Sequence, residues 1–188
     1  MANSFLKAAK KVLKTEADAL EKLKDDLPID FSDLVEFILN LTGRVIVSGV
    51  GKSGHIGNKI AATLASTGTP AYFVHATEAS HGDLGMITEQ DLCLLISNSG
   101  ETVEMFDILT HARRFSIPIA TMSSNCESTL VKAANFQLCL PMADEACPIG
   151  MAPTTSTTMM LALGDALAVA LMEAKSFNAE NFKIFHPG

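Results

Sequence analysis

Five short apolar runs alternate with segments of helical periodicity, and this alternation constrains the fold more than any other feature of the sequence. The runs are almost continuously apolar, which is typical of parallel strands that are covered on both faces. We therefore predict an α/β fold, a doubly wound three-layer α/β/α domain with a five-stranded parallel sheet. The predicted strands span residues 45–47, 71–74, 92–96, 118–122 and 136–140.

Helical spacing marks both ends of the chain. Residues 4–24 place apolar side chains on one face and charged side chains on the other. After Pro28, Asp30 or Ser32 can cap a second helix that ends near Leu41. We treat residues 1–42 as an N-terminal helical arm, packed on its own domain or on a neighbouring subunit, and residues 43–188 as one domain. Further helices are predicted around 60–65 and over 103–115, 128–134, 154–174 and 178–184.

The third strand runs directly into a group of small polar residues, Ser97-Asn98-Ser99-Gly100-Glu101-Thr102. Hydroxyl donors, a permissive glycine and a helix start together can bind a phosphate without a cationic side chain. Ligands of such sheets bind beyond the carboxyl ends of the strands, where Ser53 follows the first strand. A single phosphate among these groups indicates a sugar phosphate. The alternative is an ordinary turn in which Ser99 or Thr102 is the N-cap.

The turn after the first strand partly fits two nucleotide-binding motifs. Residues 49–54 fit G-x-G-x-x-G, but a dinucleotide site needs an acid at the end of the next strand, and His75 stands there. Gly51-Lys52-Ser53 resembles a P-loop, but Ile46 occupies the position of its first glycine. We therefore exclude ATP binding and give the dinucleotide site little weight.

The amino-acid composition restricts the kinds of molecule that this protein is expected to bind. The net charge is −7 and no basic run occurs, so we expect no nucleic acid and no membrane as partner. Hydrophobic residues make up 48% of the chain, which favours apolar surface buried between subunits. The four cysteines form no C-x-x-C motif, and we expect all of them to be reduced. The first twenty residues contain no apolar stretch of the kind found in signal peptides, so we expect a cytoplasmic protein.

The pattern Ser97-x-Ser99-Gly100-x-Thr102 resembles that of sugar isomerase (SIS) domains. Longer strings are similar to the arabinose 5-phosphate isomerase family, and the similarity extends from about Val45 to Gly188. The strings are GVGKSGHIGNKIAATLASTGTPAYFVHATEASHGDLGMIT, SNSGET, EACPIGMAPTTSTTMMLALGDALAVAL and FHPG.

This resemblance implies an activity and an assembly. Members of this family interconvert D-ribulose 5-phosphate and D-arabinose 5-phosphate through an enediolate. The product is used to synthesise 3-deoxy-D-manno-octulosonate for lipopolysaccharide or capsule. The resemblance implies that no cofactor is needed. It also implies a homo-oligomer, namely a tetramer, whose subunits share active sites. Most relatives continue past His186-Pro187-Gly188 into two CBS domains, and this sequence stops at Gly188. We therefore expect a short form, either native or trimmed.

The resemblance also implies site residues. Glu145 is the preferred carbon base, because it precedes Pro148 on an irregular loop at the sheet edge, whereas Glu104 could simply complement a helix dipole. Lys52 is expected to polarise the carbonyl or stabilise the enediolate oxygen, and is otherwise a surface lysine beside the glycines. His81 is expected to contact substrate hydroxyls or transfer a proton, and otherwise caps the turn before Gly82-Asp83. His186 belongs to a neighbouring subunit's site. The implied catalytic residues are Lys52, His81, Glu104, Glu145 and His186; the substrate-binding residues are Ser53, Ser97, Asn98, Ser99, Thr102, Gly68 and Thr69; His75 is a metal ligand for inhibitory zinc.

The tract from Thr154 to Thr158 opens the long predicted helix. Its hydroxyls can cap this helix, line the sugar site, or do both.

Two alternatives to this activity remain open. The first is an isomerase acting on another phosphosugar. The second is a non-catalytic sensor that binds a phosphosugar and regulates a partner. A sensor would be expected to have lost the acids and histidines named above, but all of them are present, and no DNA-binding module is recognisable in the sequence.

Overall fold

Five parallel strands form one sheet at the centre of the computed structural model, which describes residues 2–186. The strand order is β2-β1-β3-β4-β5, and neighbouring strands pair in parallel. The predicted α/β class and five-stranded parallel sheet are thus confirmed. The strands are β1 (Val45–Gly49), β2 (Ala71–Phe73), β3 (Leu92–Ile96), β4 (Ile119–Ser123) and β5 (Phe136–Cys139).

Helices cover both faces of the sheet and complete the three layers. On one face, α1, α2, α3 and α7 enclose a core with the β1 side chains Val45 and Val47. On the other face, α4, α5 and α6 pack over side chains such as Ile46 and Leu95. The helices are α1 (Ala2–Asp25), α2 (Phe31–Leu39), α3 (Gly51–Ser66), α4 (Ala76–Ala79), α5 (Phe106–Arg114), α6 (Thr129–Lys132), α7 (Thr155–Ala174) and α8 (Ala179–Phe185).

The central helix of the first face is α7. It is long and apolar enough to cross a membrane, but half of it is buried inside the protein, as in the core helix of a globular domain. Its Gly164 lies against α3 so closely that an added Cβ would come within 2.4 Å of Ile60 Cδ1. This contact lets α3 and α7 pack side by side over the sheet.

The N-terminal arm is attached to its own domain through its C-terminal half. Ala19 and Leu23 of α1 are buried in the core that includes α7. Phe5, Leu6 and Leu13, nearer the start of α1, are more than 60% exposed. The arm therefore packs on its own domain and also presents an uncovered apolar face.

Two local predictions differ from the structure. Asp30 does not cap α2, since its Oδ2 accepts a hydrogen bond from the backbone N–H of Gln137 at 2.7 Å and so joins α2 to strand β5. The helix predicted over 103–115 begins as a 3₁₀ turn, Val103–Met105, before α5 starts. A tertiary contact accounts for the first difference, and local helix signals carry no information about such a contact.

The expectation of four reduced cysteines is corrected for one pair. Cys126 and Cys139 form a disulfide, with their Cα atoms 5.6 Å apart. Cys139 ends β5 and Cys126 follows β4, so the pairing of these two strands brings the thiols together. Cys93 and Cys147 are free. Burial of Cys93 in the core raises the pKa of its thiol to about 12.

Candidate functional site

The strand order creates a crevice between β1 and β3, at their carboxyl ends. The chain leaves β1 toward α3 on one face and leaves β3 toward α5 on the other. Gly49 is paired with Ile96, so the turns that follow these two strands lie side by side. Ligands of open α/β sheets bind at such a switch point.

The turn after β3 is organised by its own hydroxyl groups. Ser97 is 3% exposed, and its Oγ accepts the backbone N–H of Gly100 at 3.0 Å and lies 2.7 Å from Thr102 Oγ1. Ser99 is exposed, and its Oγ accepts the backbone N–H of Glu101 at 3.2 Å. A hydroxyl that accepts a bond can still donate its proton. Ser99 and one member of the Ser97–Thr102 pair therefore keep a donor for an anion.

Residues after β4 support this turn from the next strand. Ser124 Oγ donates to Asn98 Oδ1 at 2.8 Å, and Asn125 Nδ2 donates to the carbonyl oxygen of Ser99 at 3.2 Å. Glu101 accepts the backbone N–H of Thr129 at 2.7 Å, which ties the turn to the start of α6. The contributions of Glu101 and α6 were not predicted, because only the pairing of β3 with β4 brings these segments together.

The turn after β1 carries Lys52 and Ser53 in the first turn of α3. Lys52 is exposed and Ser53 is half-buried, beside the turn after β3. An added Cβ on Gly54 would come within 2.8 Å of the Gly49 carbonyl oxygen, so the helix begins very close to the strand. Gly49 and Gly54, two of the glycines that fit the G-x-G-x-x-G pattern, thus have a packing role.

The two candidate histidines follow β2. His75 precedes α4, and its Nδ1 accepts the backbone N–H of Thr77 at 3.3 Å, which leaves Nε2 available. His81 is exposed and follows α4. Within residues 2–186, no group of three or more potential metal-ligating side chains exists. The zinc ligand at His75 stays a prediction.

The most strongly hydrogen-bonded candidate is Glu145, on the loop after β5. Its Oε2 accepts the backbone N–H and the hydroxyl of Thr154 at 2.7 and 3.0 Å, and its Oε1 accepts the hydroxyl of Ser156. Burial raises the pKa of this carboxyl group, but the bonds from Ser156 and Thr154 outweigh burial and lower the pKa overall. Glu145 is therefore ionised at neutral pH.

Glu145 and Asn98 line the same cleft, of about 410 Å³, between the turn after β3 and the loop before α7. Cys147 also lines it, and backbone N–H groups of Ala152 and Met151 lie 3.0 and 3.1 Å from its Sγ. These bonds, the Ala152 bond foremost, lower the pKa of the thiol. Glu104 lies outside this cleft, exposed in the 3₁₀ turn before α5.

The remaining predicted residues lie on the side of the sheet where the strands begin, opposite to the crevice at their carboxyl ends. Gly68 and Thr69 precede β2, and Lys175, at the end of α7, donates to the Gly68 carbonyl oxygen and to Thr69 Oγ1. The Phe177 ring lies against Gly68 and stacks with Phe185 of α8. His186 ends α8, stacked on Phe182 with ring centroids 3.7 Å apart. Within one chain, therefore, Gly68, Thr69 and His186 lie apart from the group formed by Lys52, Ser97 and Glu145.

Comparison with known proteins finds a matching family model and similar proteins that share one name. The SIS domain model matches residues 38–170. The chain is 55% identical over 184 residues to arabinose 5-phosphate isomerase KdsD of Yersinia pestis and 51% identical to that of Pseudomonas aeruginosa. Both alignments include 98% of this chain and 56% of the relative, so the chain spans about half the length of the curated relatives it matches.

A solved structure matches over the full length of both chains. It is the E. coli CFT073 protein c3406 in complex with arabinose 5-phosphate, with a TM-score of 0.96 and 38% sequence identity. The Vibrio vulnificus NanR protein complexed with ManNAc-6P has a TM-score of 0.75 at 19% identity, which shows a common fold alone; the match covers 96% of this chain and 67% of that one. The extent of the family match and these similarities show that the chain belongs to the SIS domain family.

Proposed function

We propose that the protein interconverts D-arabinose 5-phosphate and D-ribulose 5-phosphate. The observation that carries this proposal is the group of hydroxyls at the β1–β3 crevice, with an ionised carboxylate in the adjoining cleft. The similarity to c3406, whose structure contains arabinose 5-phosphate, and to the KdsD isomerases supports this choice of sugar.

Ser53, Ser97, Ser99 and Thr102 bind the phosphate in this proposal. The protein's net charge of −7 does not oppose this binding, because local donors hold the anion and no basic patch is needed. Fixing the phosphate at the crevice positions the reacting carbons of the sugar toward the cleft. Asn98 contacts both regions, since it belongs to the turn after β3 and lines the cleft.

The isomerisation moves one proton between neighbouring carbons. Glu145 takes the proton from C2 of the open-chain aldose, and the electron pair forms the enediolate with C1. Lys52 stabilises the negative oxygen, and His81 transfers the proton between O1 and O2. Glu145 then returns the carbon-bound proton to C1, which completes the ketose. Glu104 has an electrostatic role at the edge of the site.

A complete site requires a second copy of the chain. His186, Gly68 and Thr69 lie together at the edge of the sheet opposite to Lys52 and Glu145. In a homo-oligomer, this group contributes to the crevice of a neighbouring subunit. Exposed apolar residues on α8 and on the start of α1 provide surface for such contacts. We propose a homotetramer with shared active sites.

The place of the reaction follows from its chemistry. Phosphorylated sugars do not cross membranes unaided, so the enzyme acts in the cytoplasm, where they are made. Its product supplies 3-deoxy-D-manno-octulosonate synthesis for lipopolysaccharide or capsule.

The test is turnover of D-arabinose 5-phosphate by the purified chain, with EDTA present. We expect formation of D-ribulose 5-phosphate, monitored as the appearance of the ketose. Other aldose 5-phosphates, at matched concentration, serve as controls for substrate choice. Binding of the phosphosugar without any conversion would contradict an isomerase and would favour a sensor.

A further inference from the structure

The Glu145 carboxylate occupies the place where a capping side chain would bind the start of α7. Thr154 directly precedes α7 but makes no capping bond of its own. Instead, Glu145 Oε2 accepts the backbone N–H groups of Thr154 and Ser156, at 2.7 and 3.4 Å. The 20-residue helix thus directs its first N–H groups at one oxygen of this carboxylate.

Two hydroxyl groups complete the hydrogen bonds of the carboxylate. Thr154 Oγ1 accepts the backbone N–H of Ala146 at 3.0 Å and donates to Glu145 Oε2 at 3.0 Å, so its orientation is set from both sides. Ser156 is 5% exposed, and its hydroxyl donates to Oε1. Rotation of the Glu145 side chain would break several of these bonds at once.

The two carboxylate oxygens have different kinds of partner. A backbone N–H can only donate, so Oε2 is held as an acceptor. A hydroxyl can donate or accept, and Ser156 can therefore reverse its bond when Oε1 becomes protonated. Protonation of Oε1 requires at most that the Ser156 hydroxyl reorients. Protonation of Oε2 would place the carboxyl proton next to backbone N–H groups that cannot accept it.

We propose that Thr154 and Ser156 are positioning residues for the isomerisation, and that Oε1 of Glu145 is the oxygen that takes and returns the substrate proton. This inference rests on the proposed function. The proton leaves the substrate carbon for Oε1 and returns from Oε1 to the neighbouring carbon, while the Ser156 hydroxyl, which can donate or accept, stays bonded to the carboxyl group. No other reactant is consumed.

The surroundings of Glu145 restrict the interpretation of a pH profile. Of the described residues that line this cleft, three carry an acidic side chain or a thiol: Asp144, Glu145 and Cys147. The bonds from Ser156 and Thr154 hold the pKa of Glu145 below its ordinary value. Because Asp144 is a second carboxylate in the cleft, the acidic limb of kcat is assigned to Glu145 only together with a direct titration of the Glu145 carboxyl group.

The experiment compares Ser156→Ala with the conservative variant Ser156→Thr, which retains the hydroxyl. Because a hydrogen bond to a charged group is at stake, we expect Ser156→Ala to lower kcat by about tenfold to a hundredfold. We expect KM to stay within about twofold, since the phosphate-binding hydroxyls are unchanged. The acidic limb of kcat should move to higher pH, and Ser156→Thr should restore both kcat and the limb.

Ser32→Ala makes the same chemical change on the exposed surface of α2 and is the matched control. Its kcat and its pH profile should equal those of the unmodified protein. Titration of the Glu145 carboxyl carbon by ¹³C NMR gives a readout that does not depend on turnover, and its pKa should rise in Ser156→Ala. Circular dichroism verifies that each variant is folded.

The outcomes separate this inference from the proposed function. An active parent whose Ser156→Ala variant keeps kcat, acidic limb and Glu145 pKa would overturn the positioning roles alone. A parent chain that folds and binds the phosphosugar but never converts it would overturn the proposed function, and the inference with it. Should Ser156→Ala fail to fold, Thr154→Ser and Thr154→Val form a second pair, with and without the hydroxyl at Oε2, and are judged by the same readouts.

Discussion

Gly100 shows how a single residue shapes the turn after β3, where we propose that the phosphate binds. Its φ is +65°, a backbone conformation that L side chains rarely adopt. A Cβ at this position would come within 1.9 Å of Ser128 Oγ, so the turn also depends on the absence of a side chain. Glycine thereby lets the turn after β3 pack directly on the segment before α6.

We expect Gly100→Ala to destabilise the protein by about 3 kcal/mol, from backbone strain and from the collision with Ser128. The KM for the phosphosugar should rise as well. Urea unfolding and initial-rate kinetics provide the two measurements. Gly150 is the matched control, since it has the same φ of +65° but open space around its Cβ position. Gly150→Ala should cost only about 1 kcal/mol; equal losses in both variants would refute the role of crowding.

Glu145 and Glu104 illustrate how environment distinguishes two carboxylates. Glu145 is fixed by four hydrogen bonds in a cleft, and Glu104 is exposed on a 3₁₀ turn. Glu145→Gln preserves the size of the side chain, and its amide oxygen can still accept the bonds at Oε2. It therefore removes the proposed base and retains the hydrogen bonds to the start of α7.

We expect Glu145→Gln to lower kcat by at least about 10³-fold and to leave phosphosugar binding intact, because a carbon base has no substitute here. Glu104→Gln should lower kcat by only about tenfold, the effect of a nearby charge. Steady-state kinetics and calorimetric titration with the phosphosugar test both variants. If Glu145→Gln retained its turnover, the carbon base would have to be another group.

Among the elements, an ion pair between the half-exposed Arg44 and the buried carboxylate of Asp91 fixes the start of the two strands that border the crevice. Asp91, 1% exposed, accepts the Arg44 backbone N–H at 2.8 Å and its guanidinium Nη2 at 3.1 Å. The backbone N–H and hydroxyl of Thr88 also donate to this carboxylate. Since Arg44 precedes β1 and Asp91 precedes β3, the pair sets their common register.

This pair predicts an acid-dependent stability. Burial raises the pKa of Asp91, but the bonds from Arg44 and Thr88 outweigh it and hold the pKa below the ordinary 3.8. A carboxyl group with a lowered folded-state pKa stabilises the fold above pH 3.8 and loses this contribution as the pH falls through the folded-state value. Asp91→Asn should therefore lower the unfolding free energy at pH 7 by about 2–4 kcal/mol, and by much less near pH 2.

Urea unfolding at both pH values measures this difference. Asp165→Asn is the control, because Asp165 pairs with Lys59 between α3 and α7 while both side chains are more than 40% exposed. Exposed pairs contribute little, so a change within about 0.5 kcal/mol is expected. A loss for Asp91→Asn that stayed equal at pH 7 and pH 2 would show that its charge is not responsible.

At the scale of the whole molecule, the candidate residues form two groups at opposite edges of the sheet. Lys52 and Glu145 lie at the carboxyl edge, and His186 lies near Gly68 at the other. A sheet separates these groups within one chain. The proposed shared site resolves the separation, because a neighbouring copy can bring its own His186 to the crevice.

Complementation tests this arrangement. Lys52→Ala and His186→Ala should each be nearly inactive alone. Mixed oligomers should regain about a quarter of the parent activity, because random pairing gives some sites with both intact residues. The assay is turnover after the two variants are co-expressed and purified by separate tags. Mixed Lys52→Ala and Glu145→Ala oligomers are the control, since both residues come from one edge and no activity should return.

Sequence patterns alone were enough to predict the class of fold, which the structure confirms, and to propose the turn after the third strand as a binding site. Continuous apolar strands alternating with helices led to a parallel sheet, and the polar residues after the third strand predicted the turn with Ser97 and Thr102. These features are local, since strand burial, helix periodicity and turn chemistry depend on neighbours along the chain. The resemblance of the longer strings supplied Lys52 and Glu145 as candidates.

Which of these residues lie side by side depends on contacts between distant segments of the chain. The strand order put the turns after β1 and β3 side by side, and the β4–β5 pairing joined Cys126 to Cys139. The hydrogen bonds of Glu145 with Thr154 and Ser156 also became visible only in the folded chain. Such contacts join segments from different elements or across a loop, and hydrophobic periodicity carries no information about them. The sequence names candidate groups, and packing decides which of them share a site.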